Sequence, residues 1–310
     1  MPATRRLAAL DVGTNSTRLL VADVRDGRIV AELARETVIT RLGRGVDRTR
    51  RIDPQALRRT LEVLAGYAAT CERLGVKARR LVATSATRDA ANRQAFLDGA
   101  RDAVGVAPEV LSGEAEAAAA YLGATADLPE VATTLVVDLG GGSTELILGD
   151  GEPTAMLSLD VGCVRLAERH LHHDPPTAAE VAALRRDVDA HLDRVRDTLD
   201  PSKAERVLGV AGTVTTVAAL ALGLDRYDPR RIHLAAVDAA AVAATAERLA
   251  AMTVAERAAL PVMAPGREDV IAAGALLLDR LVRRFGFPQV IASEADILDG
   301  VLLQLAHRPG

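Results

Sequence analysis

Two stretches of this chain carry residue types in an order that could do phosphate chemistry. The first is Asp11-Val12-Gly13-Thr14-Asn15-Ser16-Thr17, and the second is Asp138-Leu139-Gly140-Gly141-Gly142-Ser143-Thr144. Each begins with a carboxylate, passes through glycine and ends in two hydroxyls. With Asp11 aligned on Asp138, Gly13, Ser16, Thr17 and Leu19 fall on Gly140, Ser143, Thr144 and Leu146. Glycine has no side chain to block its backbone, so several N–H groups can converge on one anion. A carboxylate in that position can sit beside a hydrated Mg²⁺.

Other groups could serve the same chemistry. The hydroxyls of Thr84 and Ser85 can donate to phosphate oxygens, and Arg88 offers a planar fork that fits phosphate. Glu114 and Glu116 stand two residues apart at a helix start, so only one of them can face a cleft. Arg165 and Arg267 are candidate clamps for a phosphate chain. Arg48, Arg50 and Arg51, and Lys77, Arg79 and Arg80, read as solvated edges near turns. His170, His172 and His173 close a helix and have no matching ligand cluster elsewhere, so a metal site is not expected there.

The elements that must position these groups alternate along the chain. Strands are expected at Leu7–Asp11, Arg18–Val24 and Ile29–Leu33, with 38–41 extending or following the third. A helix capped by Asp53-Pro54 runs to Leu74, and a strand at 80–84 turns into a helix through Val104. A short strand at 108–111 precedes a helix capped by Ser112. The second half repeats this order, with strands at 133–138, 145–148 and 154–158. Helices follow near 165–171 and from the capping box Thr177-Ala178-Ala179-Glu180. A strand at 206–210 leads into Ala211-Gly212-Thr213 and a helix. Further helices start at Asp238, at the capping box Thr253–Glu256 and at Glu268, before a strand at 290–292 and a last helix at 297–305. Three strands followed by alternating helices and strands, done twice, make mixed sheets with helices on their faces. The boundary is placed near Asp127-Leu128-Pro129, giving domains 1–127 and 128–310, with the last helix a candidate to pack back on the first. Two related hairpins would then face each other across a cleft.

Composition narrows the partners. The chain has 310 residues, 49% hydrophobic, enough for two domains with cores. Aromatics are 2% and the net charge is −4, so stacking on bases and a global pull on polyanions are both disfavoured. An anionic ligand must be held by a local cluster. Cys71 continues the stripe Leu57, Leu61, Leu64, Ala68 and reads as a buried thiol. The start, Met1-Pro2-Ala3-Thr4-Arg5-Arg6, lacks the apolar region of a signal peptide, and no run suits a bilayer span.

Two domains that each open on Asp-x-Gly-x-x-Ser-Thr resemble the actin, sugar kinase and chaperone ATPase superfamily. Four further stretches narrow the resemblance: Thr84–Ala90, Ser112–Ala117, Gly162–Leu166 and Pro265–Ala275. With the two hairpins, they resemble the exopolyphosphatase and guanosine pentaphosphate phosphohydrolase family in its short, two-domain form. The resemblance implies two ribonuclease H-like domains, the actin-like ATPase fold, with a cleft between them. It implies a phosphoanhydride hydrolase that releases orthophosphate from inorganic polyphosphate, or the same reaction on guanosine pentaphosphate. It selects Glu116 as the catalytic base, with Asp138 as its catalytic companion. It implies phosphate binding by Gly13, Thr14, Asn15, Ser16, Ser85, Arg88, Gly140, Gly141, Gly142, Ser143, Thr144 and Arg267. Mg²⁺ (or Mn²⁺) is expected near Asp11 and Asp138. A cytoplasmic homodimer without nucleic-acid or membrane partners completes the expectation.

One position departs from the family. Ala115 stands where a second acid is usual. If Ser112 is the N-cap, that position is N3, and the missing acid weakens a capping box rather than the chemistry; the alternative is a weakened charge relay. Two other functions use the same frame. A small-molecule kinase would need an adenosine pocket, often marked by paired glycines after a late strand, yet Gly209-Val210-Ala211-Gly212 has one glycine at the turn. A non-enzymatic nucleotide switch should bind ATP tightly and spare polyphosphate.

Overall fold

The structure, a computed structural model, describes residues 4–128 and 132–308. Met1–Ala3 of the start and Pro129 of the expected boundary lie outside the described residues. The chain forms two compact units. One comprises residues up to 123 together with the segment from 297 onward, and the other spans 124–296.

The first unit is built on β1 (Arg5–Val12), β2 (Ser16–Arg25), β3 (Arg28–Ile39), β4 (Ala78–Ala83) and β5 (Glu109–Val110). Their order in the sheet is β3-β2-β1-β4-β5. β1, β2 and β3 form an antiparallel meander, and β4 and β5 continue it in parallel. The expected third strand and its extension are one continuous strand, because β2 pairs along nearly its whole length with a register shift at Val21/Ala22 and another at Asp23/Val24. Side chains alternate between the faces of β1, and each face has its own core. Ala8, Leu10 and Val12 pack with Leu64, Tyr67, Cys71 and Phe96. Leu7 and Ala9 pack with Leu298, Val301 and Leu302.

The first face is covered by the helices Pro54–Arg73 and Arg93–Val104. Asp53 caps the former by accepting from the N–H groups of Gln55 and Ala56. The helix expected to run unbroken from Thr84 to Val104 is two helices, Ser85–Asp89 and Arg93–Val104, because Ala90 adopts extended backbone. The second face is covered by the last helix, Ile297–His307. The expected boundary leaves that helix in the second half, as a candidate to pack back on the first; it packs on the first. Its apolar face finds its core on β1 and β2, and Gly300 sits so close to the carbonyl of Ala119 that a Cβ could not fit. Cys71 is fully buried, and burial raises its thiol pKa.

The second unit repeats the plan with β6 (Thr134–Leu139), β7 (Thr144–Gly149), β8 (Pro153–Leu159), β9 (Arg206–Val210), β10 (Ala235–Asp238) and β11 (Gln289–Ala292). The order is β10-β11-β9-β6-β7-β8. β6–β8 form the meander, β9 and β11 run parallel beside it, and β10 closes the edge antiparallel to β11. β10 was not anticipated; Ala-Ala-Val-Asp is too short to show a strand period. Both capping boxes are present, at Thr177/Glu180 and Thr253/Glu256. No helix among the described residues is long and apolar enough to cross a membrane.

Candidate functional site

Each unit presents its hairpin tip at the end of a central strand, and both tips are built alike. In the first, the Gly13 N–H donates to Ser16 O at 2.9 Å; in the second, the Gly140 N–H donates to Ser143 O at 3.0 Å. In both, the carbonyls beyond that turn are taken by a following segment. Asn15 O and Thr14 O accept from the N–H groups of Arg41 and Gly43 at 2.9 and 2.8 Å. Gly140 O accepts from Cys163 N–H at 3.0 Å, and Gly141 O accepts from Val164 and Arg165 N–H at 2.9 and 3.1 Å. Arg165, itself buried, donates from Nε to Gly142 O at 2.8 Å.

Tying the carbonyls back turns the amides the other way. The N–H groups of Thr14, Asn15, Gly141 and Gly142 donate to no described residue. Adjacent outward N–H groups of this kind form an anion-binding concavity. A close approach sustains the second tip: a Cβ on Gly162 would lie 2.6 Å from the carbonyl carbon and oxygen of Gly141. The helix that begins at Cys163 can therefore reach the tip only with glycine before it.

Around the first tip, Thr14 Oγ1 and Ser85 Oγ share a 2.8 Å hydrogen bond. Asp11 is buried and faces Arg18 across the β1–β2 ladder, and Arg18 donates from Nε and Nη2 to its Oδ2 at 3.0 and 2.7 Å. Glu116 is buried on the helix Gly113–Thr125, while Glu114 is exposed. Arg88 Nη1 donates to Glu116 Oε2 at 2.6 Å and to Leu111 O at 2.8 Å. Burial raises the Glu116 carboxyl pKa; Arg88 pulls it down, Asp11 pushes it up again and a hydrogen bond with Thr84 lowers it, leaving it above its ordinary value. Ser112 Oγ accepts from Ala115 N–H at 3.2 Å, so Ala115 does occupy N3 of this helix.

Around the second tip, Asp138 pairs across the ladder with Glu145. Directly opposed residues share a sheet face, so two buried acids stand where the first unit has Asp11 and Arg18. Glu145, which also accepts from Ser158 Oγ at 2.7 Å, was not among the sequence candidates. Its signal was there: Glu145 is the repeat partner of Arg18. Ser143 is buried at the tip, whereas the Thr144 hydroxyl donates to Val161 O at 2.6 Å and Thr17 bonds Thr40 at 2.8 Å. These second hydroxyls tie the starts of β2 and β7 to the segments that follow β3 and β8. Arg267 donates from Nη1 to Gly212 O and Thr216 Oγ1, both at 2.9 Å, and its guanidinium lies directly over Gly212. His170 and His173 pair with Asp187 and Glu180.

The comparisons with known proteins follow the same line. The Ppx/GppA phosphatase family matches residues 20–309. The chain belongs to that family. It is 46% identical over 317 aligned positions to a protein named exopolyphosphatase 2 of Mycobacterium tuberculosis (strain ATCC 25618 / H37Rv), spanning 98% of this chain and 99% of the relative. A Vibrio atlanticus protein named guanosine-5'-triphosphate,3'-diphosphate pyrophosphatase is 32% identical over 70% of this chain and 44% of its own length. Among solved structures, an exopolyphosphatase-like protein superimposes with a TM-score of 0.93 at 38% identity, covering 97% of this chain and 98% of its own. The Aquifex aeolicus Ppx/GppA family member does so with a TM-score of 0.80 at 29% identity, covering 98% of each.

Proposed function

We propose that this Ppx/GppA family chain is an exopolyphosphatase that hydrolyses the terminal phosphoanhydride of inorganic polyphosphate and releases orthophosphate. The observation that carries the reading is the pair of tips whose carbonyls are tied back, leaving adjacent amides for phosphate oxygens. The full-length likeness to a protein named exopolyphosphatase 2 supports polyphosphate as the substrate, since the likeness to the guanosine pentaphosphate enzyme covers less of either chain. Arg267 lying over Gly212 argues against a kinase or a nucleotide switch, because the glycine turn that would open onto a nucleoside is covered.

In this reading the Thr14–Asn15 and Gly141–Gly142 amides bind phosphate oxygens, and Ser85 and Thr14 add hydroxyl donors. Glu116 takes a proton from the attacking water through its carboxylate, and Arg88 orients that carboxylate. Such chemistry is mostly positioning and charge stabilisation.

The residues present fit magnesium or manganese. The acids at the second tip, Asp138 and Glu145, offer hard oxygens, the donors such ions prefer. The two strand-end acids differ in what faces them: Asp11 Oδ2 accepts from Arg18, whereas Asp138 stands opposite a second acid, Glu145, a pairing that favours a cation at the second tip. The described residues contain no group of three metal-ligating side chains, and Mg²⁺ held largely by water and substrate phosphates needs none. When bound, the ion would neutralise phosphate charge.

The test is phosphate release from polyphosphate, guanosine pentaphosphate and ATP, side by side with Mg²⁺. A kcat/KM higher for guanosine pentaphosphate would transfer the assignment to that substrate, and tight ATP binding without polyphosphate turnover would establish a switch.

A further inference from the structure

The segment Arg41–Arg51 contains five arginines, at 41, 44, 48, 50 and 51, and one acid, Asp47. A chain with a net charge of −4 thus concentrates positive charge in eleven positions. The sequence pattern alone reads as a solvated edge. The structure shows that the segment is built in. Leu42, Val46 and Ile52 are buried anchors, and Arg44, Arg48, Arg50 and Arg51 are exposed between them.

The segment is also stitched at both ends to the residues around the first tip. Its start donates backbone N–H groups to Thr14 O and Asn15 O of the tip. Gly43 packs against Thr14 and Ala86 so tightly that a side chain there would collide with both. At its other end Arg50 O accepts from Ala91 N–H at 2.8 Å, and Ile52 exchanges backbone bonds with the Asn92 side chain at 2.8 and 3.0 Å. Those residues follow directly on the short helix that carries Ser85 and Arg88. Arg41 and Arg50 hold left-handed backbone, with φ of 55° and 56°, an arrangement that non-glycine residues adopt at a cost. A solvated loop has no need of that cost or those anchors. A basic segment whose backbone is already held beside a phosphate tip binds a polyanion with less of itself left to order.

We propose that Arg44, Arg48 and Arg51 form a second subsite that holds phosphates further along a polyphosphate chain, making the protein prefer long chains over short ones. This deepens the exopolyphosphatase reading and rests on it. Short anionic substrates would engage the tips alone, while longer chains would add contacts to the basic face.

The experiment compares wild type with Arg44→Ala/Arg48→Ala/Arg51→Ala on long-chain polyphosphate and on tripolyphosphate. Exposed ion pairs are individually weak, so three together should raise the long-chain KM about tenfold. The long-chain kcat, and both constants for tripolyphosphate, should hold. The long-chain KM of the variant should also depend less on salt. Equal effects on both substrates, or none, would overturn the subsite. Arg48→Glu, a single exposed change, repeats the test should the triple variant fold poorly, with the same pattern expected. Binding of labelled long-chain polyphosphate in excess chelator separates the two readings. If wild type releases no phosphate, the enzymatic assignment fails, but tenfold weaker binding by the variant still supports the basic face. Undiminished binding refutes it, as does displacement by a single-stranded oligonucleotide at equal affinity per charge.

Discussion

Arg88 donates to Glu116 at 2.6 Å, so the proposed base is held by a guanidinium rather than left to point at substrate on its own. Burial raises the carboxyl pKa, and Arg88 is the largest influence opposing it. A base works only when deprotonated, so activity must rise with pH through this raised value. The acid limb of the kcat profile is therefore expected above the ordinary carboxyl value of 4.5. Arg88→Gln removes a lowering influence and should move the limb to higher pH. A kcat–pH profile of both proteins checks this; an unmoved limb would remove Glu116 from the titration.

Glu116→Gln keeps the shape and deletes the basicity. A positioned general base contributes about 10²–10⁴-fold, and kcat should fall by that factor. Polyphosphate affinity should hold or rise slightly, since a negative charge has left an anion site. Glu114 is exposed on the same helix, so Glu114→Gln should cost little. The two variants together identify which acid carries the chemistry, by steady-state kinetics on one substrate.

Gly162→Ala places a methyl group against the Gly141 carbonyl. The tip must shift, and a displacement on the order of 1 Å in a positioned site can cost about 10²-fold in rate. kcat/KM for polyphosphate should drop by roughly that factor. The helix that follows carries Cys163, Val164 and Leu166 into the core, so the melting temperature should also fall, while far-ultraviolet dichroism should still report a folded chain. A wild-type kcat/KM would mean that the tip does not cradle substrate.

The two strand-end acids should respond differently to metal. Asp138 faces Glu145 across its ladder, whereas Asp11 faces Arg18. Asp138→Asn should raise the Mg²⁺ concentration for half-maximal activity more than Asp11→Asn does. Binding of Mn²⁺ followed by paramagnetic resonance gives the same comparison without turnover. Equal effects would mean that the facing residues, Arg18 and Glu145, do not set the preference, and full activity in excess chelator would dismiss the metal.

Gly300→Val tests how the first unit is closed. The added side chain meets the Ala119 carbonyl, so the last helix must lift from its neighbour. Overpacking of this kind costs about 1–3 kcal/mol, seen as a lower denaturant midpoint.

Much of this protein is written in short windows of sequence. The repeated Asp-x-Gly-x-x-Ser-Thr stretches, the Asp53 cap and the two Thr–Glu capping boxes each depend on residues a few positions apart, and each forms where expected. Even the contrast between Arg18 and Glu145 is legible once the two hairpins are aligned. Other features depend on partners distant in sequence. Nothing near Arg88 in the chain says that it holds Glu116, and nothing near Thr144 says that its hydroxyl belongs to Val161. The last helix carries an apolar face that either half could have buried; the core on β1 and β2 took it. Arg44, Arg48 and Arg51 look like any exposed turn until Leu42, Val46 and Ile52 are seen anchoring them beside the tip. Periodicity and caps act within a few residues and fix the elements, while burial decides which faces meet and so which polar groups are brought together.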